Sequence, residues 1–226
     1  METDMNDQTP APSDRTRLRR YNWLARYDRE TIDAIIDASY VCQLGYAVEG
    51  VPIVTPTCHW RIADHLYWHG SSASRMLRAM QGGTPVCFSV TLLDGIVFSR
   101  AAFNHNVLYR SVMAFGTTEL VPEAEKREVL EVFVNRLAPG LWQAARAPAD
   151  QEWKASKVIR MKLDEVSAKV AAGLPDEEES DLAATAWAGH VPIWTTQGAP
   201  VPDPKLRPGI GIPDYVRNFR YPGARD

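Results

Sequence analysis

The sequence predicts a mainly β protein, an antiparallel barrel with a few peripheral helices. Three observations support this prediction. β-rich runs follow one another closely through residues 40–121, turn-forming pairs such as Glu49 and Gly50 separate them, and helical spacing is confined to four short stretches. Consecutive short strands joined by tight turns pair with their neighbours in antiparallel fashion, and such a sheet buries its apolar face by closing into a barrel with helices outside.

The first half of the predicted barrel starts with a helix at Asp28, whose carboxylate can accept the free amides of a first turn. Three strands in a meander follow it: residues 40–48, 51–60 and 65–69. Serines then precede a short helix over residues 75–80. The clearest hairpin comes next, with strands at residues 85–93 and 96–99 joined at Asp94 and Gly95, a pair that favours a two-residue turn.

The second half of the predicted barrel begins with a long strand over residues 109–121, where Gly116 indicates a bulge or bend. An amphipathic helix over residues 123–137 and a short helix over residues 150–156 follow. Two more strands, residues 158–163 and 166–170, complete the predicted set.

A chain of 226 residues suggests one domain with appendages. Residues 1–27 are polar and predict a disordered arm, and residues 28–172 hold the barrel. Residues 173–226 combine an acidic loop, a short strand and a Pro-rich tail that we expect to pack on the barrel. Disorder of this tail is the alternative, since its proline content permits it.

Composition narrows the function classes. The net charge is −3 and the pI is about 6.0, so no basic bias indicates nucleic acid. Three widely spaced cysteines, Cys42, Cys58 and Cys87, predict buried free thiols in a reducing compartment. No run has the length and apolar character of a membrane span or a signal peptide. We therefore expect a cytoplasmic protein with neither nucleic-acid nor membrane partners.

The stretch from His69 to Arg75 could bind a phosphate. A strand ends there, Ser71 and Ser74 follow, and a helix begins with Arg75 in its first turn. Free backbone amides, small side chains and a guanidinium are what a phosphate requires. The alternative is an ordinary serine cap with a surface arginine.

Two other groups of residues are weaker candidates. His105 with the residues around Tyr109 and Arg110 could line a site or be ordinary loop polar residues. A metal site among His59, His65 and His69 is disfavoured, because residues 65 and 69 lie about 13 Å apart on a strand. We therefore predict no metal site.

Residues 52–95, PIVTPTCHWRIADHLYWHGSSASRMLRAMQGGTPVCFSVTLLDG, and residues 109–121, YRSVMAFGTTELV, resemble a known family. They are similar to the flavin-nucleotide-binding proteins of the pyridoxamine 5′-phosphate oxidase-like superfamily, nearest the branch that includes nitroimidazole-resistance proteins. The resemblance covers about residues 28–172. Met76 departs from the pattern, because many relatives have lysine after the residue matching Arg75.

The resemblance implies an FMN-binding split β-barrel that works as a homodimer and holds the flavin at the subunit interface, with FAD as the alternative cofactor. It assigns the phosphate to Ser71, Ser74 and Arg75, and the flank of the isoalloxazine ring to Thr55, Pro56 and Thr57. His69 would stand at the rim of the pocket. The remaining residues implied to complete it are Tyr109, Arg110, Ser111 and Val112.

The resemblance further implies a flavin-dependent oxidoreductase acting on a small molecule by hydride or electron transfer. A non-catalytic flavin or tetrapyrrole carrier is the alternative, and a ligand-free interaction module is a third class. The C-terminal substrate signature of true pyridoxamine-phosphate oxidases is missing, so oxidation of pyridoxamine phosphate is not expected. No residue is assigned a catalytic role.

Overall fold

The computed structural model describes residues 9–224 and is mostly antiparallel sheet, as predicted. Its strands are β1 (Ala25–Arg26), β2 (Val41–Val48), β3 (Val51–Ile62), β4 (His65–Ser71), β5 (Gly82–Phe98), β6 (Asn106–Leu120), β7 (Ser156–Lys162), β8 (Glu165–Ala171) and β9 (Gly189–Pro192). Its α-helices are α1 (Arg29–Asp37), α2 (Arg75–Ala79), α3 (Lys126–Leu137), α4 (Leu141–Ala144), α5 (Asp150–Ala155) and α6 (Asp214–Arg217).

Six strands form a closed ring in the order β5-β2-β3-β4-β7-β6, and the β6–β5 ladder closes it. Strand β6 changes partner along its length: residues 109–115 pair with β8, whereas Glu119 and Leu120 pair with β7. β8 therefore branches away from the ring, and the barrel is split at this place. The short strands β1 and β9 extend the sheet at its two edges.

The barrel interior is apolar and is closed at one end by α1. Asp28 caps this helix as predicted, accepting a hydrogen bond from the Thr31 amide at 2.8 Å, and this bond lowers the pKa of Asp28. The buried isoleucines of α1 pack with barrel residues such as Leu44 and Phe88. Burying each large apolar side chain contributes about 1.5–3 kcal/mol.

A second apolar cluster lies between the outside of the barrel and α3, around Trp60, Tyr67 and Val129. Arg136 near the end of α3 donates hydrogen bonds to the carbonyls of Asp37 and Ser39, at 2.8 and 3.1 Å, and to that of His59 at 2.9 Å. The half-buried Arg136 thus connects α3 to the end of α1 and the loop after it by satisfying main-chain carbonyls.

The hairpin predicted at Asp94 and Gly95 is wrong. β5 runs without a turn through both residues, and its register with β6 shifts between Leu93 and Gly95, which makes a bulge. Asp94 accepts hydrogen bonds from Nε and Nη2 of Arg110, at 2.8 and 2.9 Å. A Cβ on Gly95 would lie 2.8 Å from the Val191 carbonyl oxygen, so glycine lets β9 approach here.

The N-terminal arm, expected to be disordered, has a defined course over residues 9–27, and residues 1–8 lie outside the described part. Thr16 is buried, the Leu18 amide donates to the Tyr27 hydroxyl at 3.0 Å, and β1 pairs with β8. Tyr21 has φ 55°, a left-handed conformation that non-glycine residues rarely adopt.

The C-terminal segment lies against the barrel through the β9 ladder with β5 and at two further places. Glu177 accepts hydrogen bonds from the Ser99 hydroxyl at 2.8 Å and the Arg100 amide at 2.5 Å, and it also pairs with the Arg100 guanidinium. Further on, the ring of Tyr221 packs against Tyr40, with centroids 5.6 Å apart. The stretch between these attachments leaves several apolar side chains exposed, among them Val201.

Candidate functional site

Thr55, Pro56 and Thr57 lie in the first half of β3. Among the described residues this half pairs only with β2, because the ladder with β4 ends at His59 and Trp68. The Thr55 hydroxyl lies 3.2 Å from that of Tyr46, and Pro56 is exposed. The free edge of β3 therefore leaves main-chain groups open to a ligand.

Ser71, Ser74 and Arg75 surround the start of α2, which follows β4 along the chain. Ser74 caps the helix as predicted, accepting from the Leu77 amide at 3.1 Å, and Ser71 accepts from the Ala73 amide at 3.2 Å. Both hydroxyls keep their own protons for donation. Arg75 is exposed and forms no hydrogen bond or ion pair with any of residues 9–224. The same holds for Arg78, which the sequence reasoning missed.

Tyr109, Arg110, Ser111 and Val112 alternate along β6. Tyr109 and Ser111 point outward, and the Lys169 ammonium lies 5.1 Å from the centre of the Tyr109 ring. Arg110 is bound to Asp94, and this hydrogen bond raises the pKa of Arg110. Val112 is 1 % exposed within the barrel core, so its side chain cannot reach a surface ligand.

One chain does not bring these groups into one pocket. β2 and β5 separate β3 from β6, which places Thr55 at least about 14 Å from Ser111 at the usual strand spacing. His69 lies apart from both groups, beneath α3, where its ring packs 4.9 Å from that of Phe133. Burial lowers the pKa of His69, and its Nδ1 atom is buried without a partner among the described residues.

One large face of the sheet points away from the barrel interior and is here called the outward face. None of the residues that form it is charged. It consists of odd-numbered residues 41–47 of β2, even-numbered residues 52–58 of β3, and odd-numbered residues 87–93 of β5 and 109–115 of β6, as the registers align them. Val54 and Met113 on it are 68 % and 46 % exposed. Cys58, expected to be buried, is exposed because it lies on this face.

A cleft of about 240 Å³ lies between the N-terminal arm and the start of the C-terminal segment, and is here called the terminal cleft. Aromatic side chains line it from both sides: Tyr21 and Trp23 from the arm, and Phe103 from the loop before β6. Phe103 is fully exposed and Trp23 is 60 % exposed. Polar side chains of Asn104, Asn106 and Asp176 share the lining with these exposed rings.

Residues 28–170 match the family model described as pyridoxamine 5′-phosphate oxidase. The chain belongs to this family. Among solved structures, the flavocytochrome Anf3 from Azotobacter vinelandii is 45% identical, with a TM-score of 0.90, and the alignment covers 94% of this chain and 99% of that one. The FAD and haem binding protein from Mycobacterium smegmatis is 34% identical, with a TM-score of 0.83 and coverage of 87% and 97%.

A third solved structure shares the fold. A putative 5-nitroimidazole antibiotic resistance protein from Bacteroides thetaiotaomicron is 23% identical, with a TM-score of 0.55, and the alignment covers 65% of this chain and 86% of that one. The family model and the first two matches confirm the predicted split-barrel family. Among curated proteins the comparison found no similar sequence. Within residues 9–224 no helix is long and apolar enough to cross a membrane.

Proposed function

We propose that this protein binds a flavin, as FAD, together with haem, and that it passes electrons from a small-molecule donor through the two groups. The observation that carries the proposal is similarity over almost the whole chain to two proteins described as a flavocytochrome and as an FAD and haem binding protein. The prediction from sequence named FMN and kept a tetrapyrrole only as an alternative.

The terminal segments distinguish these two relatives from the rest of the family. Residues 1–170 make up about three quarters of the chain. Coverage of 94% and 87% therefore requires part of the C-terminal segment, whereas the nitroimidazole-resistance relative covers only 65%. The segments that add the terminal cleft to the barrel are thus shared with the two relatives whose descriptions include a haem or cytochrome.

The start of α2 fits a flavin phosphate. Arg75 and Arg78 are three residues apart on one helix face, both exposed and without ionic partners in the described part of the chain. Two adjacent guanidinium groups suit the two phosphates of FAD better than the single phosphate of FMN. The hydroxyls of Ser71 and Ser74 can add donated hydrogen bonds, and the free edge of β3 would flank the ring.

The outward face fits a second copy of the chain. Its apolar residues are too many to leave exposed on a monomer, and an uncharged sheet face pairs with itself without repulsion. In a two-fold dimer, pairing through the outward face would bring Tyr109 and Ser111 of one subunit near the free β3 edge of the other. That arrangement would complete a pocket that a single chain leaves divided.

When bound, the flavin would accept electron pairs and the haem single electrons. The residues of this chain contribute binding and positioning. Arg75 and Arg78 would hold the phosphates, and the β3 edge would orient the ring.

The experiment that tests this function is the visible spectrum of protein expressed with haem and riboflavin supplied. We expect a Soret band together with flavin absorption, and flavin released by denaturation should gain fluorescence when phosphodiesterase cleaves FAD. Addition of a chemical hydride donor should reduce the flavin first and the haem after it. A colourless protein that takes up neither group on titration would contradict the proposal.

A double variant, Arg75→Gln with Arg78→Gln, refines the flavin part of that test. Each charge-assisted hydrogen bond is worth about 1.5–3 kcal/mol, so FAD affinity should fall about 10-fold or more while riboflavin affinity stays unchanged. Lys205→Gln, on the exposed tail, is the matched loss of charge. Equal losses of affinity for FAD and for riboflavin would show that neither arginine contacts the phosphates.

A further inference from the structure

A second concave region lies where the final part of the C-terminal segment, residues 195–224 and here called the tail, packs against the junction of α3 and α4. It encloses about 490 Å³, about twice the volume of the terminal cleft, and is here called the tail cavity. Leu137 and Leu141 line it from the helices, and Tyr215, Val216 and Phe219 line it from the tail. Its volume is that of an ordinary small-molecule site.

The tail wall of this cavity is fixed by contacts within the tail and with the rest of the chain. The Gln197 side chain donates to the Phe219 carbonyl at 2.9 Å and accepts from the Tyr221 amide at 2.9 Å, so it joins the two ends of the tail. Gly223 then passes very near the loop after α1, because a Cβ there would lie 2.5 Å from the Ala38 carbonyl oxygen. These contacts hold the tail wall against the helices.

The helix wall of the cavity takes its shape from the turn between α3 and α4. Gly140 has φ 81°, a left-handed conformation that glycine adopts without strain. The Leu141 amide donates to the Ala138 carbonyl at 3.1 Å and closes this turn. α4 therefore starts directly beside the end of α3, and both helices contribute leucines to one apolar wall.

Arg217 alone is charged among the described residues that line the tail cavity. It is exposed, and one of its nitrogens donates to the Ile212 carbonyl at 3.2 Å. Within residues 9–224 it forms no ion pair, although Asp214 stands three residues before it in α6. The cavity thus combines apolar walls with one unpaired cation at its rim, and no acidic side chain lines it.

This combination selects for one kind of small molecule. Apolar walls favour a ligand whose body is mostly hydrocarbon, since its burial removes apolar surface from water. A guanidinium has five N–H donors and Ile212 accepts from only one nitrogen, so the remaining donors suit a carboxylate. A single cation balances a single negative charge, and the ligand that fits is a monocarboxylic acid.

We propose that the tail cavity is a second binding site, which takes a small monocarboxylic acid with an apolar body. The carboxylate would accept hydrogen bonds from Arg217 at the rim, and the body would lie against Leu141 and Phe219. A ligand that contacts both walls would stabilise the docked tail. The site goes beyond the proposed function, because none of the residues assigned to the flavin lines this cavity.

The test compares decanoate with 1-decanol, an uncharged ligand of the same chain length, by calorimetric titration of the protein with its bound cofactors. Wild type should bind decanoate more tightly than decanol. Arg217→Gln should weaken decanoate binding about 5-fold or more and leave decanol binding unchanged. Arg207→Gln, which removes an exposed arginine of the tail outside the cavity, should bind both ligands as wild type does.

Three outcomes would overturn the assignment: no decanoate binding, equal loss of both ligands in Arg217→Gln, or a flavin or Soret band that shifts when decanoate is added. The last outcome would place the acid at a cofactor instead. Since the measured quantity is decanoate affinity, a protein that takes up neither flavin nor haem would contradict the proposed function and leave this test intact.

Hydrogen exchange of the wild-type protein locates the ligand independently of any variant. Decanoate should slow amide exchange at residues 137–141 and 213–219, which form the two walls. Residues 173–188, at the other end of the C-terminal segment, should exchange as before. Slower exchange elsewhere, with none at the two walls, would contradict binding in the tail cavity.

Discussion

The barrel and the terminal segments are held in place by different interactions. In the barrel, apolar side chains such as Phe88 and Trp68 are fully buried. In the terminal segments, attachments such as Glu177 on Ser99 do this work, while apolar side chains such as Val201 remain exposed. The difference teaches that the part of the molecule with a closed core and the parts held by a few attachments are physically separate.

The largest expected effect compares one apolar side chain in each region. Phe88→Ala should lower the free energy of unfolding by about 3–5 kcal/mol, since it leaves a cavity in a closed core. Val201→Ala, at a position that is 90 % exposed, should change it by less than about 0.5 kcal/mol. Urea unfolding of the apo proteins measures both. Similar losses at the two sites would mean that the regions do not differ in this way.

The next effect is a dependence of stability on pH, and it arises in the barrel alone. Burial lowers the pKa of His59 from 6.5 to about 4, because protonating its partnerless Nδ1 would place a charge next to Phe88. The unfolded chain takes up this proton near pH 6.5 and the folded chain only near pH 4. Between these values His59 should therefore remove about 3 kcal/mol of stability as the pH falls.

Urea unfolding at several pH values checks this prediction by difference. His59→Gln should lose about 3 kcal/mol less than wild type between pH 6.5 and pH 4. Ile36→Val, a neighbouring core variant that does not titrate, should give a curve parallel to that of wild type. Parallel curves for all three proteins would show that His59 has no part in the acid response.

The smallest effect is local and belongs to the C-terminal segment. Bonds from the Arg100 amide and the Ser99 hydroxyl lower the pKa of Glu177, so its anchoring is complete above the ordinary glutamate range and is lost as the pH falls through the lowered value. Glu177→Gln at neutral pH should speed amide exchange around residues 173–188 and leave the barrel unchanged. Glu178→Gln, at an exposed neighbour, is the control, and equal exchange in the two variants would contradict the anchoring role.

Much of the fold could be predicted from local patterns. The Asp28 and Ser74 caps and the meander of β2 to β4 lie where side-chain chemistry and alternation place them. The pair Asp94 and Gly95 was misinterpreted because its turn preference is a local signal, whereas its bulge depends on Arg110 and on β9, far along the chain. Local preference yields to such contacts.

The candidate site was less predictable, for reasons that differ between residues. Strand alternation could have shown that Val112 points inward, since Tyr109 and Ser111 lie on the other face. Arg78 gave a signal in its helical spacing from Arg75 that was not used.

The uncharged outward face limits which substitutions this protein can accept there. In the proposed two-fold dimer, a residue near the axis contacts the same residue of the partner subunit. Every substitution there therefore places two copies of the new side chain within a few ångströms of each other. If Ser89 lay near that axis, Ser89→Asp would bring two carboxylates together, with no cation at its paired positions Gln43 and Met113. Selection on this surface therefore acts on pairs of identical residues. A substitution near the axis is accepted only where the new side chain can pack against its own symmetry copy.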